Sequence, residues 1–319
     1  MSVAEFQIIE KYFKQLTQRR QDVHTTIGDD CALLMPETDK LLAVSTDTLV
    51  AGTHFFADTD PYKLGHKSLA VNLSDLASLG ANPCWVSLSL TLPEVNETWL
   101  DAFSKGFASL ASRFNVQLIG GDITKGPLSI TITLQGQVEP DKALTRSGAR
   151  AGDLVFVSGQ LGSAALALKK HSAEEPQHDE ALEKSLLMPE PRINLGLALS
   201  GLASACIDIS DGLIADLGHI CTASECGAQI HLEKIPCHNL VADENQRSGN
   251  FDLALSGGDD YELCFTIPPS SISKLDQVLG NFSIEITEIG EITASPGVEV
   301  LDMAGELIEV QSFGFTHFQ

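Results

Sequence analysis

Two periods of apolar residues organise the first half of the chain. "CWVSLSLTL" (84–92) and "LSITITLQG" (128–136) place apolar side chains at every second position, the mark of antiparallel strands with one buried face. Between them, residues 97–114 predict a helix and "VQLI" (116–119) a short strand. "KLLAVSTD" (40–47) reads as a strand ending on Thr46 and Asp47. Pro61 suits the first turn of a helix that runs to Gly80, which can end it in a left-handed conformation. Ser2 and Glu5 form a capping box for a helix with Phe6, Ile9, Phe13 and Leu16 on one face. From residue 40 on, the order β-α-β-α-β-β predicts a strand-rich sheet covered by helices, α+β in character.

A polar turn, "RSGARAGD" (146–153), separates this half from a second one. We place the boundary within residues 140–150, giving domains 1–145 and 146–319. The second half predicts strands at "LVFVSG" (154–159), "ACIDIS" (205–210), "AQIHL" (228–232) and "YELCFTI" (261–267), with a helix over 213–224. Residues 171–184 are polar and charged, which suits a solvated helix or loop.

Composition narrows the possible partners. Apolar residues make up 43% of 319, enough for each domain to bury its own core. Lys and Arg total 20 against 43 Asp and Glu, so the net charge of −23 repels a phosphate backbone and argues against nucleic acid. Seven cysteines without a CxxC pair read as reduced thiols, with Cys84, Cys206 and Cys264 packed in apolar runs. The N-terminus lacks a secretory pattern, and no apolar stretch approaches the ~20 residues of a membrane span. These features point to a soluble cytoplasmic protein.

The chemistry lies in aspartates placed where apolar segments meet turns. They stand in "IGDDCALL" (Asp29, Asp30), "STDTL" (Asp47), "VNLSDLASLG" (Asp75), "LIGGDITKGP" (Asp122), "CIDISDGL" (Asp208, Asp211) and "LSGGDDYEL" (Asp259, Asp260). Asn72 and Asp75 are three apart on one helix and share a face. Backbone N–H groups around Ser210 and the following helix start can face an anion. Two carboxylates about 5 Å apart repel by roughly 3 kcal/mol at an effective dielectric near 20. A convergent set therefore stays ionised only around cations, and all-oxygen ligands select Mg²⁺ or Ca²⁺. Taken singly, Asp208 and Asp211 serve equally as helix caps, and Asp29 and Asp141 as turn residues.

Other chemistries lack their motifs. There is no GxxxxGK[ST] loop, no GxGxxG after a strand, no HExxH and no GxSxG. His54, in "AGTHFF", is the histidine nearest an acidic motif. Lys105, Lys125, Arg146 and Arg150 are the candidate phosphate cations, with Arg146 opening the interdomain turn.

Eight ordered motifs resemble the thiamine-monophosphate kinases, within the superfamily of aminoimidazole ribonucleotide synthetase. They are "IGDDCA", "VSTDTLVAGTHF", "VNLSDLASLGANP", "QLIGGDITKGP", "TRSGARAGD", "DISDGL", "SGGDDYEL" and "GFTHF", spanning nearly the whole chain. The resemblance implies a two-domain α/β fold whose N-terminal sheets pair across a homodimer. It implies transfer of the γ-phosphoryl of ATP onto thiamine monophosphate, with several Mg²⁺ ions and neither a covalent nucleophile nor a general base. It assigns Mg²⁺ to Asp30, Ser45, Thr46, Asp47, Asp75, Asp122, Asp208 and Asp211. It assigns ATP to Gly121, Asp122, Arg146 and Ser210, and the acceptor to His54, Asp259 and Phe315, the last stacking on the thiamine rings. Here the chain departs from the family, reading GGDDYEL for GGEDYEL, so Asp259 is one methylene shorter than the expected Glu. Asp260 has no implied role beyond fixing the turn. The competing readings are another synthetase of the superfamily and a non-catalytic metal- or nucleotide-binding module. An EF-hand-like loop is absent.

Overall fold

The structure, a computed structural model, describes residues 5–172, 179–280, 282–310 and 314. The chain divides into two compact units. One comprises Met1–Leu76 with Ala81–Pro140, and the other Ala77–Gly80 with Asp141–Gln319.

Unit 1 opens with helix α1 (Glu5–Ile8), which passes into a π-helical turn over Ile9–Phe13 closed by Lys14 N–H on the Ile9 carbonyl at 2.9 Å. The buried face matches the expected one only in part. Phe13 points inward as expected, joined by Ile8 and Tyr12, whereas Ile9 is only half-buried and Phe6 is 80% exposed. Strands β1 (Val23–Thr25) and β2 (Leu33–Leu34) form a small hairpin. β3 (Leu41–Val50), helix α2 (Pro61–Ser78), β4 (Asn82–Leu92), helix α3 (Glu97–Arg113), β5 (Gln117–Lys125) and β6 (Ser129–Val138) complete the unit.

The four longer strands form one sheet in the order β3-β6-β4-β5, antiparallel except for the parallel β4–β5 pair. Asp60 caps α2 by accepting the Tyr62 and Lys63 N–H groups, and Asn96 caps α3 through the Trp99 N–H. The two helices pack closely through glycines. A Cβ on Gly65 would lie 2.1 Å from the Phe103 carbonyl oxygen, and one on Gly106 1.9 Å from that of Tyr62. Leu69, Leu73, Phe103 and Phe107 are fully buried with Ile130, Ile132 and Leu134, so the core lies between the helices and the inward face of the sheet.

Unit 2 runs β7 (Leu154–Ser158), α4 (Ser163–His171), α5 (Glu180–Leu187), α6 (Ile193–Leu199), β8 (Ala205–Asp208), α7 (Leu213–Ser224), β9 (Gly227–His231), α8 (Asn239–Ser248), α9 (Asp252–Leu255), β10 (Leu263–Ile267), α10 (Ile272–Leu279), β11 (Ile286–Thr293) and β12 (Gly297–Leu301). Its sheet has the order β12-β9-β11-β7-β10-β8, with β9 and β12 parallel and the other neighbours antiparallel. Val155, Val157, Ile207, Leu213, Leu217, Cys264 and Ile289 form its apolar centre. β11, β12, α8 and α10 lie outside the elements expected from the sequence.

Cys84, Cys206 and Cys264 are buried as expected. Burial raises the Cys221 thiol to about 12 and that of Cys237 to about 11, so both stay protonated and unreactive near neutrality. No described helix is long and apolar enough to cross a membrane.

Candidate functional site

In unit 1 the period-two alternation of β3 sorts the residues of "VSTDT". Ala43, Ser45, Asp47 and Leu49 alternate with the exposed Leu42, Val44, Thr46 and Thr48. Helix α2 brings Asp75 to the first set, where the Ser45 hydroxyl donates to Asp75 Oδ2. Burial pushes the Asp47 carboxyl up to about 7, helped by the Asp75 charge and a hydrogen bond between the two groups. One turn before Asp75, the Oδ1 of Asn72 is buried without a hydrogen-bond partner among the described residues. Ser45, Asp47 and Asp75 therefore make a compact, oxygen-rich and electrostatically strained group.

The remaining unit-1 residues stand apart from it. The Thr46 hydroxyl bonds Thr133 at 3.0 Å on the other face of the sheet, so its side chain points away from Asp47. Asp122 is exposed on the edge strand β5, opposite Ser89 in register; Ser89 faces Thr131, and Thr131 faces Thr48. This row belongs to the threonine face. Asp30 is exposed in a turn, its N–H on the Asp29 carboxylate at 3.1 Å. Thr26 ties that turn to β5 by donating to the Ile119 carbonyl at 3.2 Å. Among the described residues, no three His, Cys, Asp or Glu side chains converge as a metal cage. Gly121 is needed sterically: at φ +148° its Cβ would lie 1.7 Å from the Leu88 carbonyl oxygen. His54 Nδ1 accepts the Val50 N–H at 3.0 Å, which leaves Nε2 as the protonated nitrogen of the neutral ring.

In unit 2 the "DISDGL" turn is organised from below by a residue the sequence reading passed over. Asp216, 2% exposed on α7, accepts the N–H groups of Ser210, Asp211 and Gly212 on its Oδ2 at 3.0, 3.1 and 3.1 Å. Burial and the Asp211 charge push its carboxyl up to about 7, against the pull of those three donors. The N–H groups expected to face an external anion are thus already satisfied within the unit. Asp208 is buried at the end of β8, and Ser210 and Asp211 are half-buried above it.

The "SGGDDYEL" segment packs on that turn. Asp259 N–H donates to the Ser210 carbonyl at 2.9 Å and Tyr261 N–H to that of Ile209 at 2.8 Å. A Cβ on Gly258 would lie 2.3 Å from the Ser210 carbonyl oxygen. Asp259 and Tyr261 both take left-handed backbone, at φ +66° and +50°, and the Tyr261 hydroxyl donates to Asp259 Oδ1 at 2.9 Å. Asp260 fixes the turn as expected: both its oxygens accept the Gly162 N–H at 3.0 Å, at the start of α4. Burial drives that carboxyl well above the usual range. Glu262 is buried against Arg192, whose Nε donates to Oε2 at 2.7 Å, while the Ser158 hydroxyl donates to the same oxygen. The Arg146 side chain is exposed and has no acceptor among the described residues, whereas Lys105 is engaged by Asp101 at 2.6 Å. Phe315 lies outside the described residues.

Asp216, Tyr261 and Arg192 were missed by sequence reasoning. The available signal for Asp216 was an acidic residue inside the apolar run "LIADLGHI", where a solvated charge is out of place.

Known proteins place this arrangement. The AIR synthase related protein family matches in both parts, the N-terminal domain over residues 28–138 and the C-terminal domain over 150–302. The thiamine-monophosphate kinase of Escherichia coli (strain K12) is 45% identical over 322 residues, covering 100% of this chain and 99% of its own. The crystal structure of thiamine-monophosphate kinase from Stenotrophomonas maltophilia K279a superposes with a TM-score of 0.87 at 42% identity, over 97% of this chain and 99% of that one. AaThiL, solved in complex with AMPPCP and TMP, has a TM-score of 0.77 at 33% identity, over 89% of each chain. By sequence over its full length and by fold, the chain belongs to the thiamine-monophosphate kinase family of AIR synthase related proteins.

Proposed function

We propose that the protein transfers the γ-phosphoryl of ATP onto the phosphate of thiamine monophosphate, giving thiamine diphosphate and ADP. The observation that carries this reading is the Asp47–Asp75 pair with Ser45, a hard-oxygen group whose weakened acidity marks it as short of positive charge. Support comes from the E. coli relative's activity and from AaThiL, which holds AMPPCP and TMP.

These residues fit Mg²⁺. That ion usually takes one or two carboxylates and completes its shell with water and substrate phosphates, so two aspartates and the buried Asn72 oxygen suffice without a three-acid cage. Ser45, Asp47 and Asp75 would hold it in unit 1, and Asp208 and Asp211 in unit 2. We extend the assignment to Asp30, Asp122 and Thr46, the last through a group other than its hydroxyl. When bound, the metal neutralises phosphate charge that otherwise keeps donor and acceptor apart.

The protein's own part is to bind and orient. The acceptor oxygen is already ionised near neutrality, so no side chain need remove a proton. Arg146 offers an unpaired guanidinium to a nucleotide phosphate, with Gly121, Asp122 and Ser210 as further contacts. Asp259 presents a negative charge to the thiazolium of the acceptor, with His54 and Phe315 as further acceptor contacts. A homodimer through the unit-1 sheet is part of the proposal: β3 is an edge strand with Leu42 53% and Val44 58% exposed. A cytoplasmic setting accords with the free cysteines.

The test is incubation with ATP, Mg²⁺ and thiamine monophosphate, followed by chromatography. Equal amounts of thiamine diphosphate and ADP are expected, and no diphosphate at any Mg²⁺ concentration refutes the reading.

A further inference from the structure

The DISDGL turn and the SGGDDYEL segment are joined by one continuous set of hydrogen bonds rooted in Asp216. Its Oδ2 takes the three N–H groups of Ser210, Asp211 and Gly212. The carbonyl of Ser210 then takes the Asp259 N–H, and the Ile209 carbonyl the Tyr261 N–H. The Tyr261 hydroxyl closes the set on Asp259 Oδ1. Two steric locks reinforce it. A Cβ on Gly212 would lie 2.7 Å from the Ser256 carbonyl carbon, and one on Gly258 2.3 Å from the Ser210 carbonyl oxygen, so the two backbones touch with no room for a side chain. The left-handed residues Asp259 and Tyr261 persist only because their surroundings over-determine them.

We infer that Asp216 is a positioning residue that fixes the cation-side turn Ser210–Gly212 and, through the Ser210 carbonyl, the acceptor-side Asp259 as a single unit. The inference deepens the proposed function and rests on it for the roles of Asp211 and Asp259. An anion already fills the N–H nest from within the fold. With its N–H groups taken and Asp211 half-buried over the buried Asp208, the turn offers carboxylate rather than open N–H groups and suits cations, whereas an empty nest of this kind takes a phosphate. Tyr261 adjusts only the last link, the direction of the Asp259 carboxylate.

Residue-resolved amide exchange in the ligand-free protein tests the coupling without relying on activity. In Asp216→Ala, exchange at Ser210, Asp211, Gly212 and Asp259 should rise together by about tenfold or more, while Leu263–Ile267 keep their protection. Asp216→Asn retains an acceptor oxygen and should fall between Ala and the wild type. In steady-state assays, Asp216→Ala should raise the Mg²⁺ requirement and the KM for thiamine monophosphate together, each by roughly tenfold. Tyr261→Phe should raise the acceptor KM alone, by about threefold to tenfold. Faster exchange at Ser210–Gly212 with Asp259 unchanged overturns the inference, as does an Ala variant that changes only one of the two kinetic quantities. If the Ala variant unfolds, the Asn variant decides by the same two criteria. Coupled exchange in a protein that makes no thiamine diphosphate would sustain the coupling and refute the proposed function instead.

Discussion

Replacing Asp47 by Asn should make the metal-free protein more stable while abolishing turnover. Asp47 rises from an ordinary 3.8 to about 7 through burial and through Asp75. Between those values the folded chain binds a proton that the unfolded chain releases, so stability falls as pH rises through that window. At about 1.4 kcal/mol per pH unit, the interval sets a ceiling of about 4 kcal/mol at pH 8. Solvent screening at these half-exposed carboxylates reduces it to about 1–2 kcal/mol. The Asn amide can still donate to Asp75, so the neutral variant keeps the bond and loses the repulsion. For a chain of this size the melting temperature at pH 8 should rise by about 1.5–3 °C. The assay is a calorimetric melt in chelator at pH 5 and pH 8, with the wild type losing more stability than the variant between them. Asp216 titrates in the same window and leaves a residual slope in both proteins. Millimolar Mg²⁺ with ATP should raise the wild-type melt and leave that of the variant nearly unmoved. A variant that melts below the wild type at pH 8, or equal slopes in the two proteins, refutes the strained-carboxylate reasoning.

Arg192→Met should cost about 3–5 kcal/mol in urea unfolding, because it leaves Glu262 buried at 6% exposure without its guanidinium. Gly121→Ala should cost more than about 3 kcal/mol or prevent folding, read by circular dichroism, since its methyl group meets the Leu88 carbonyl and its φ is +148°. Asp259→Glu should lower stability by about 1 kcal/mol, because Glu tolerates φ +66° less well than Asp. Its KM for thiamine monophosphate should stay level or fall, and a large rise would contradict the acceptor role. Val44→Glu, on the exposed edge strand, should convert a species of about twice 34.1 kDa to the monomer in light scattering, and an unchanged mass would remove β3 from the dimer contact.

The parts of the fold legible in the sequence were those with one strong period and clean ends. β4 and β6 alternate without interruption, and α2 starts on Pro61 behind the Asp60 cap. β11 escaped notice because "ITEIGEIT" sets glutamates between its apolar residues, and because a register shift falls between Glu288 and Gly290. The first helix was read only partly, Phe13 facing inward as expected and Phe6 not, and its π-helical turn leaves no trace in composition. Part of the site was also legible: strand parity alone sets the Ser45 and Asp47 side chains apart from that of Thr46. The position of Asp122 was not, because it depends on the register of β5 against β4. Asp216 was hidden for a different reason. Its place inside an apolar run marks it as unusual, but an aspartate in the first turn of a helix also reads as a cap, and only the folded chain shows it accepting three backbone N–H groups.

The central claim is tested most directly with ATP carrying radioactive phosphorus at the γ-position. Incubated with thiamine monophosphate and Mg²⁺, the protein should place the label in thiamine diphosphate, one for each ADP released, with none left on the denatured protein. Label appearing only as free phosphate, or remaining bound to the chain, would contradict direct transfer between the two substrates.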